Sequence, residues 1–190
     1  MAATHDAIGA DLAEWIAEQP LFFVATAPSG TGGHVNLSPK GLDTLRVLGP
    51  RRVAYLDLTG SGVETIAHLR ENGRITVMFC AFAGNPRICR LYGHGVVHPA
   101  GTPGFEELAP QFPPLPGARA VIEVEVDGVT TSCGYAVPEM ELVRARDRLV
   151  AWAEAKGDEG LVAYRAAKNA SSLDGLPGFP AAPDGSEPGA

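Results

Sequence analysis

Apolar positions along the chain change period several times, and each change marks an element. Ile8, Leu12, Trp15 and Ile16 recur at helical spacing, which predicts an amphipathic helix over 6–19 ended by Pro20. LFFVATA (21–27) is strand-like and PSGTGG (28–33) is a turn, so 34–38 is expected to fold back as the second arm of a hairpin. Period two sets His34, Asn36 and Ser38 on one face, opposite Val35 and Leu37, and Pro39 is expected to stop the ladder. Segments 44–48 and 52–58 read as a strand pair around Gly49-Pro50. Helical spacing resumes at Val63, Ile66, Ala67 and Leu69, predicting a helix over 62–71 that Asn72-Gly73 ends.

Farther on, RITVMFCAF (74–82) is apolar on both faces and is expected to be a central strand covered on two sides. A strand over 87–98 follows the Gly84-Asn85-Pro86 turn, and Thr102-Pro103 opens a short helix before the proline-rich QFPPLPG link. Residues 118–129 alternate Ile122, Val124 and Val126 with Glu123, Glu125 and Asp127, the pattern of a half-exposed strand, and TSCGYAVP allows one more short strand. From Glu139 the spacing of Leu142, Ala145, Leu149 and Trp152 predicts a helix to Gly157, then a second helical segment to Asn169. One domain over 1–178 is expected, with a Pro/Gly-rich, disordered tail over 179–190. About seven strands without regular βαβ alternation point to an α+β fold, an antiparallel barrel with flanking helices.

Composition narrows the function classes. The net charge of −7 and a pI near 5.2 argue against nucleic acid or an anionic membrane as partner. No apolar run approaches the roughly 20 residues of a membrane helix, and the N-terminus lacks a signal-peptide pattern, so a cytoplasmic protein is expected. Cys80, Cys89 and Cys133 are odd in number and lack metal spacing; they read as buried, reduced thiols. His94 and His98 share a strand face without a nearby acid or cysteine ligand, so no metal site is assigned.

The candidate chemistry gathers where strand 52–58 meets the following helix. Thr59-Gly60-Ser61-Gly62 carries small residues at a helix start, where unpaired N–H groups and a partial positive charge can seat a phosphate. The same residues have a simpler reading, because Ser61 followed by Glu64 is a capping box. Neither a G-x-G-x-x-G nor a P-loop pattern is present.

HVNLSPKGLD, YLDLTGSGVETIAHLRENGRITVMFCAF, PRICRLYGHG, SCGYAVP and AAKNASSLDGLPG together resemble the pyridoxamine 5′-phosphate oxidase-related family of FMN-binding split barrels, over roughly residues 20–178. The resemblance implies a split β-barrel and a homodimer with FMN at the subunit interface. It further implies flavin contacts at Asn36, Leu37, Ser38 and Lys40, and a phosphate end at Leu58, Thr59, Ser61, Gly62 and Thr65. Arg87 and Arg90 lie on the strand that, in the family, reaches the partner's flavin. Glu64-Thr65 stands where the oxidase carries an Arg-Lys pair on the phosphate, which leaves room for a deazaflavin coenzyme or haem. The oxidase's C-terminal arginine signature is missing from GLPGFPAAPDG, so true pyridoxamine phosphate oxidation is not expected. The implied activity is an FMN-dependent oxidoreductase acting on a small molecule, with no catalytic residue assigned. The alternative is a non-catalytic carrier of FMN, deazaflavin or haem.

Overall fold

The computed structural model describes residues 2–179. Eight antiparallel strands form one sheet: β1 (Ala3–His5), β2 (Phe22–Thr26), β3 (Asn36–Lys40), β4 (Leu45–Gly49), β5 (Arg52–Leu58), β6 (Arg74–Cys80), β7 (Ile88–Pro99) and β8 (Ala118–Ser132). Four helices flank it: α1 (Ala10–Ala17), α2 (Glu64–Asn72), α3 (Pro103–Leu108) and α4 (Arg148–Lys168). The strand order is β3-β2-β6-β7-β8-β5-β4, with β1 added alongside β8. The long β8 explains this, since one of its edges follows β7 while the other is shared between β5 and β1. The sheet stays open, with β3 and β4 at its two ends, and curls around its core as a split β-barrel.

That core is what the alternating pattern demands. Phe22 and Val24 of β2, Val53 and Tyr55 of β5, Val77 and Phe79 of β6 and Ile122 and Val124 of β8 point inward and are buried. Ile8, Leu12 and Ile16 close one end, and Val63, Ile66 and Leu69 of α2 close another. A smaller cluster on the outer face joins Ala54, Leu56 and Val121 to Leu108 and Phe112. Gly93 permits the β7–β8 approach at a register shift, since a Cβ there would lie 2.0 Å from the Glu125 carbonyl oxygen. Gly73 ends α2 in the left-handed conformation (φ 72°), its N–H donating to the Leu69 carbonyl.

Several expectations are corrected. β1 carries no pattern long enough to read, and α1 is shorter than 6–19 because Gly9 is its N-cap. The second hairpin strand is Asn36–Lys40, displaced from 34–38, and Pro39 lies inside it opposite Phe23. Proline is tolerated there because β3 is an edge strand and position 39 needs no ladder donor. β6 is central, but its second face, with Thr76 and Met78, is only half-buried in the single chain. No separate strand forms at TSCGYAVP: β8 runs on to Ser132 and a turn follows. Residues 139–147 form neither helix nor strand and are exposed, tied to the β6–β7 turn by the Met140 N–H on the Phe82 carbonyl. Their helical spacing meets no surface to bury against, and an isolated short helix is marginal in water. The break expected at Gly157 is present as a non-helical residue inside α4, across which Trp152 and Tyr164 pack edge to face at 4.9 Å. Cys80 and Cys89 are buried, whereas Cys133 is half-exposed. Burial pushes the Cys89 thiol up to about 11. Phe179 packs against the core, and the remainder of the expected tail lies outside the described residues.

Candidate functional site

β3 supplies the first wall of a cleft of about 320 Å³ that opens between it, the end of β5 and the start of α2. Alternation turns Asn36, Ser38 and Lys40 toward the cleft while Leu37 faces outward. The register sets a further feature of this edge. Pro39 has no N–H, so its pairing with Phe23 is a non-hydrogen-bonded one, and so is Leu37 with Ala25. The Leu37 N–H and carbonyl therefore turn away from β2 toward the free edge. Leu56 and Leu58 give the cleft an apolar floor, and Gly60, Gly62, Glu64 and Thr65 form its far end, with Leu149 of α4 at the rim.

Asp57, set behind the floor, joins the cleft-lining Lys40 and Arg119 in an ion triad that the sequence pattern does not reveal. Asp57 is 1% exposed; its two oxygens accept from Lys40 Nζ at 2.9 Å and from Arg119 Nε at 2.6 Å. Burial alone would raise the Asp57 carboxyl, but Lys40 and Arg119 together outweigh it and hold it below its usual range. Arg119 continues outward, donating to Asn169 Oδ1 at 2.8 Å and to the Gly62 carbonyl at 2.9 Å. Asn169 in turn donates to the Gly60 carbonyl at 3.0 Å. The turn after β5 is thus held from β8 and from the end of α4. Arg119 had a legible signal, a single base inside an apolar strand start; Asn169 had none.

The helix start differs from the capping-box expectation. The N-cap of α2 is Val63, no side chain caps it, and Ser61 is exposed outside the cleft lining. Glu64 is the first helical residue, and its carboxylate folds back over Gly62, where a Cβ would lie 2.6 Å from Oε2. Its other oxygen accepts the Leu173 N–H. Thr59 is buried and donates its hydroxyl to the Gly117 carbonyl at 2.8 Å, and it accepts from Arg165 at 3.2 Å. Burial, then neighbouring Arg119, lowers the Arg165 pKa.

Asn36, Ser38, Lys40, Leu58, Gly62 and Thr65 therefore meet around one cleft. Leu37, Thr59 and Ser61 lie beside it. Arg87 and Arg90 do not line it: Arg87 lies over the Trp15 ring at 5.4 Å, and Arg90 sits on β7 opposite Met78.

A flat, mixed-polarity ligand suits this donor set. An edge N–H, the Ser38 hydroxyl and Lys40, whose ammonium is paired with Asp57, border an apolar floor, features that suit a flavin ring. Gly60 adds open space, with nothing within 4 Å of a Cβ built there. At the anionic end the balance is closer. The charges of Lys40 and Arg119 are matched by Asp57 and Glu64, which leaves Arg165, on the Thr59 hydroxyl, with backbone N–H groups and hydroxyls to meet a phosphate once the Glu64 carboxylate is displaced.

Comparisons with known proteins agree with this architecture. The family model described as Pyridoxamine 5'-phosphate oxidase matches residues 8–133. The pyridoxamine 5'-phosphate oxidase family protein ustO of Aspergillus flavus is 43% identical over 192 residues, spanning 92% of this chain and 77% of that protein. A HupZ variant from Group A Streptococcus superposes with a TM-score of 0.51 at 20% identity, covering 66% of this chain and 99% of that one. A Lactobacillus delbrueckii protein gives 0.50 at 19% identity, covering 66% and 94%. The two solved structures establish the fold alone, while the extent of the family match and the ustO identity establish the lineage. The chain belongs to the pyridoxamine 5′-phosphate oxidase family.

Proposed function

We propose that this chain binds FMN in the β3–β5–α2 cleft and acts as a flavin-dependent oxidoreductase on a small molecule other than pyridoxamine 5′-phosphate. The observation that carries the reading is the convergence of Asn36, Ser38 and Lys40 with Leu58, Gly62 and Thr65 around one cleft. Asn36, Ser38, Lys40 and the Leu37 backbone would hold the ring. Thr59, Ser61, Gly62 and Thr65 belong to the phosphate end. When bound, a flavin supplies the electron and hydride chemistry, and the protein binds, orients and tunes it. A homodimer belongs to the same reading: Arg87 and Arg90 would then serve a cofactor at the subunit interface, and the half-buried outer face of β6 would gain cover. The three free thiols suit a reducing, cytoplasmic setting.

A second reading, a non-catalytic carrier of FMN, a deazaflavin or haem, draws on one observation. Glu64 sits at the helix start, where the phosphate end is expected, and its carboxylate lies over Gly62. One experiment separates the readings. The protein is titrated with FMN, FAD and riboflavin, then offered NAD(P)H and candidate acceptors. Shifted, quenched absorbance with FMN and not FAD, followed by turnover, supports the oxidoreductase. Tight FMN binding without turnover supports the carrier, and no binding at micromolar FMN ends the flavin reading. Sedimentation of the loaded protein as a monomer would contradict the interface site.

A further inference from the structure

A line of hydrogen bonds leaves the cleft wall and ends in the core. Ser38 Oγ donates to Asn36 Oδ1 at 3.0 Å, and Asn36 Nδ2 donates to Thr65 Oγ1 at 3.0 Å and to Thr26 Oγ1 at 3.3 Å. Thr26 Oγ1 lies 2.9 Å from His68 Nδ1. Ser38, Asn36 and Thr65 line the cleft, whereas Thr26 and His68 are buried, His68 at 1% exposed. Among the described residues His68 Nε2 has no hydrogen-bond partner. Leaving such a nitrogen unpaired is destabilising, and an apolar side chain in its place would avoid that cost. What distinguishes a histidine here is its bond to Thr26.

When each hydroxyl both accepts and donates along the line, it runs in one of two directions. In the first, Ser38 donates to Asn36, the Asn36 amide to Thr26, and Thr26 to an unprotonated His68 Nδ1, the ring proton being on Nε2. Ser38 then faces the cleft with a lone pair. In the second, His68 carries its proton on Nδ1 and donates to Thr26, Thr26 donates to Asn36 Oδ1, and the turned-over Asn36 amide donates to Ser38. Ser38 is then free to donate its own proton into the cleft. The two arrangements differ by an amide turn and a ring tautomer, with the same heavy-atom positions occupied. Because Nε2 is unpartnered in both, neither tautomer is fixed from behind.

We propose that His68 is a positioning residue whose tautomer sets, through Thr26 and Asn36, whether Ser38 offers the cleft an acceptor or a donor. The ligand class this suits is a redox-active nitrogen heterocycle, because a ring nitrogen that accepts a hydrogen bond when oxidised bears a proton when reduced. The inference rests on the cleft being the binding site, and on the flavin reading only for the probe.

The test is ¹⁵N NMR of the His68 ring, which reports the tautomer directly. In the free protein, Ser38→Ala removes the far end of the line and should change the tautomer ratio by about threefold or more. Thr26→Val should abolish that response, and Thr26→Ser should restore it, separating a cut hydrogen-bond line from damaged packing. An unchanged ratio in Ser38→Ala, or a response that survives Thr26→Val, overturns the proposal. In the second arm FMN is added to wild type and then reduced with dithionite. Inversion of the ratio on reduction supports coupling to the ligand, whereas bound FMN whose reduction leaves the ratio unmoved overturns that coupling. If FMN fails to bind while Ser38→Ala still moves the ratio, the flavin reading falls and the line from Ser38 to His68 stands.

Discussion

Replacing Asp57 by asparagine should be among the most damaging single changes near the cleft, although Asp57 itself does not line it. The carboxylate is 1% exposed and accepts from Lys40 at 2.9 Å and from Arg119 at 2.6 Å, and Arg119 is itself 4% exposed. The amide keeps the volume but leaves a buried guanidinium without its counter-charge. Breaking a buried pair in this way costs about 3–5 kcal/mol. A domain of this kind has about 5–15 kcal/mol of stability in total. At about 2–4 °C per kcal/mol, the melting temperature should fall by about 6–20 °C. Lys40→Met should cost less, because the Lys40 side chain is 23% exposed and its loss leaves Asp57 still paired with Arg119. The acid limb carries the same signature. The folded carboxyl titrates below its ordinary value, so its stabilisation is full above about pH 4 and is lost as pH falls through the folded pKa. Urea unfolding of wild type, Asp57→Asn and Lys40→Met between pH 3 and 7 provides the measurement, and the acid limb of Asp57→Asn should be flatter. A loss below about 1 kcal/mol at pH 7, or Lys40→Met proving the more damaging of the two, would refute the reasoning.

Glu64→Gln removes the carboxylate that faces the helix start and should tighten FMN by about two- to fivefold, from about 0.3–1 kcal/mol, while riboflavin changes little. Parallel titrations of the two flavins check this. Gly93→Ala places a methyl against the Glu125 carbonyl in the long β7–β8 pairing and should cost about 1–3 kcal/mol or more, read as a lower urea midpoint. Cys133→Ala removes a half-exposed, unpaired thiol in the turn after β8, and both stability (within about 1 kcal/mol) and FMN affinity should persist; a loss of turnover with flavin still bound would make it a site residue.

The parts of the fold visible in the sequence are those whose burial is local and periodic. β2, β5, β6 and β7 fall close to where alternation and turn residues set them, and α2 buries the stripe that its spacing predicts. The failures share a different cause. Ser61 and Glu64 match a cap by spacing, yet the turn that contains them is fixed by Arg119 and Asn169, more than fifty and one hundred residues away. Such long-range polar contacts override a preference worth about 1 kcal/mol. Segment 139–147 has a helical stripe, but a stripe becomes a helix only where something covers it. The candidate site divides the same way. Asn36, Ser38 and Lys40 follow from period two on β3, while Asp57 carries no such signal because its strand reads as uniformly buried.

The same division runs through the cleft itself. The family match spans residues 8–133 and so includes β3, β5 and α2. The groups that hold the turn after β5 come from farther on. Asn169 binds the Gly60 carbonyl, Arg165 reaches Thr59, and the Leu173 N–H engages Glu64. Arg70 of α2 donates to the Gly178 carbonyl, and a Cβ at Gly178 would lie 2.3 Å from the Asn169 carbonyl oxygen, so the returning segment is closely seated. Both ends of the cleft are thus built from matched residues, but the turn at the helix-start end is held in place by the segment after them. A substitution in that segment can therefore alter the helix-start end of the cleft without disturbing β3. Glu64 illustrates this: its carboxylate stays over Gly62 with a partner supplied by Leu173, so the strength of that tether governs how readily the helix start is freed for an incoming anion.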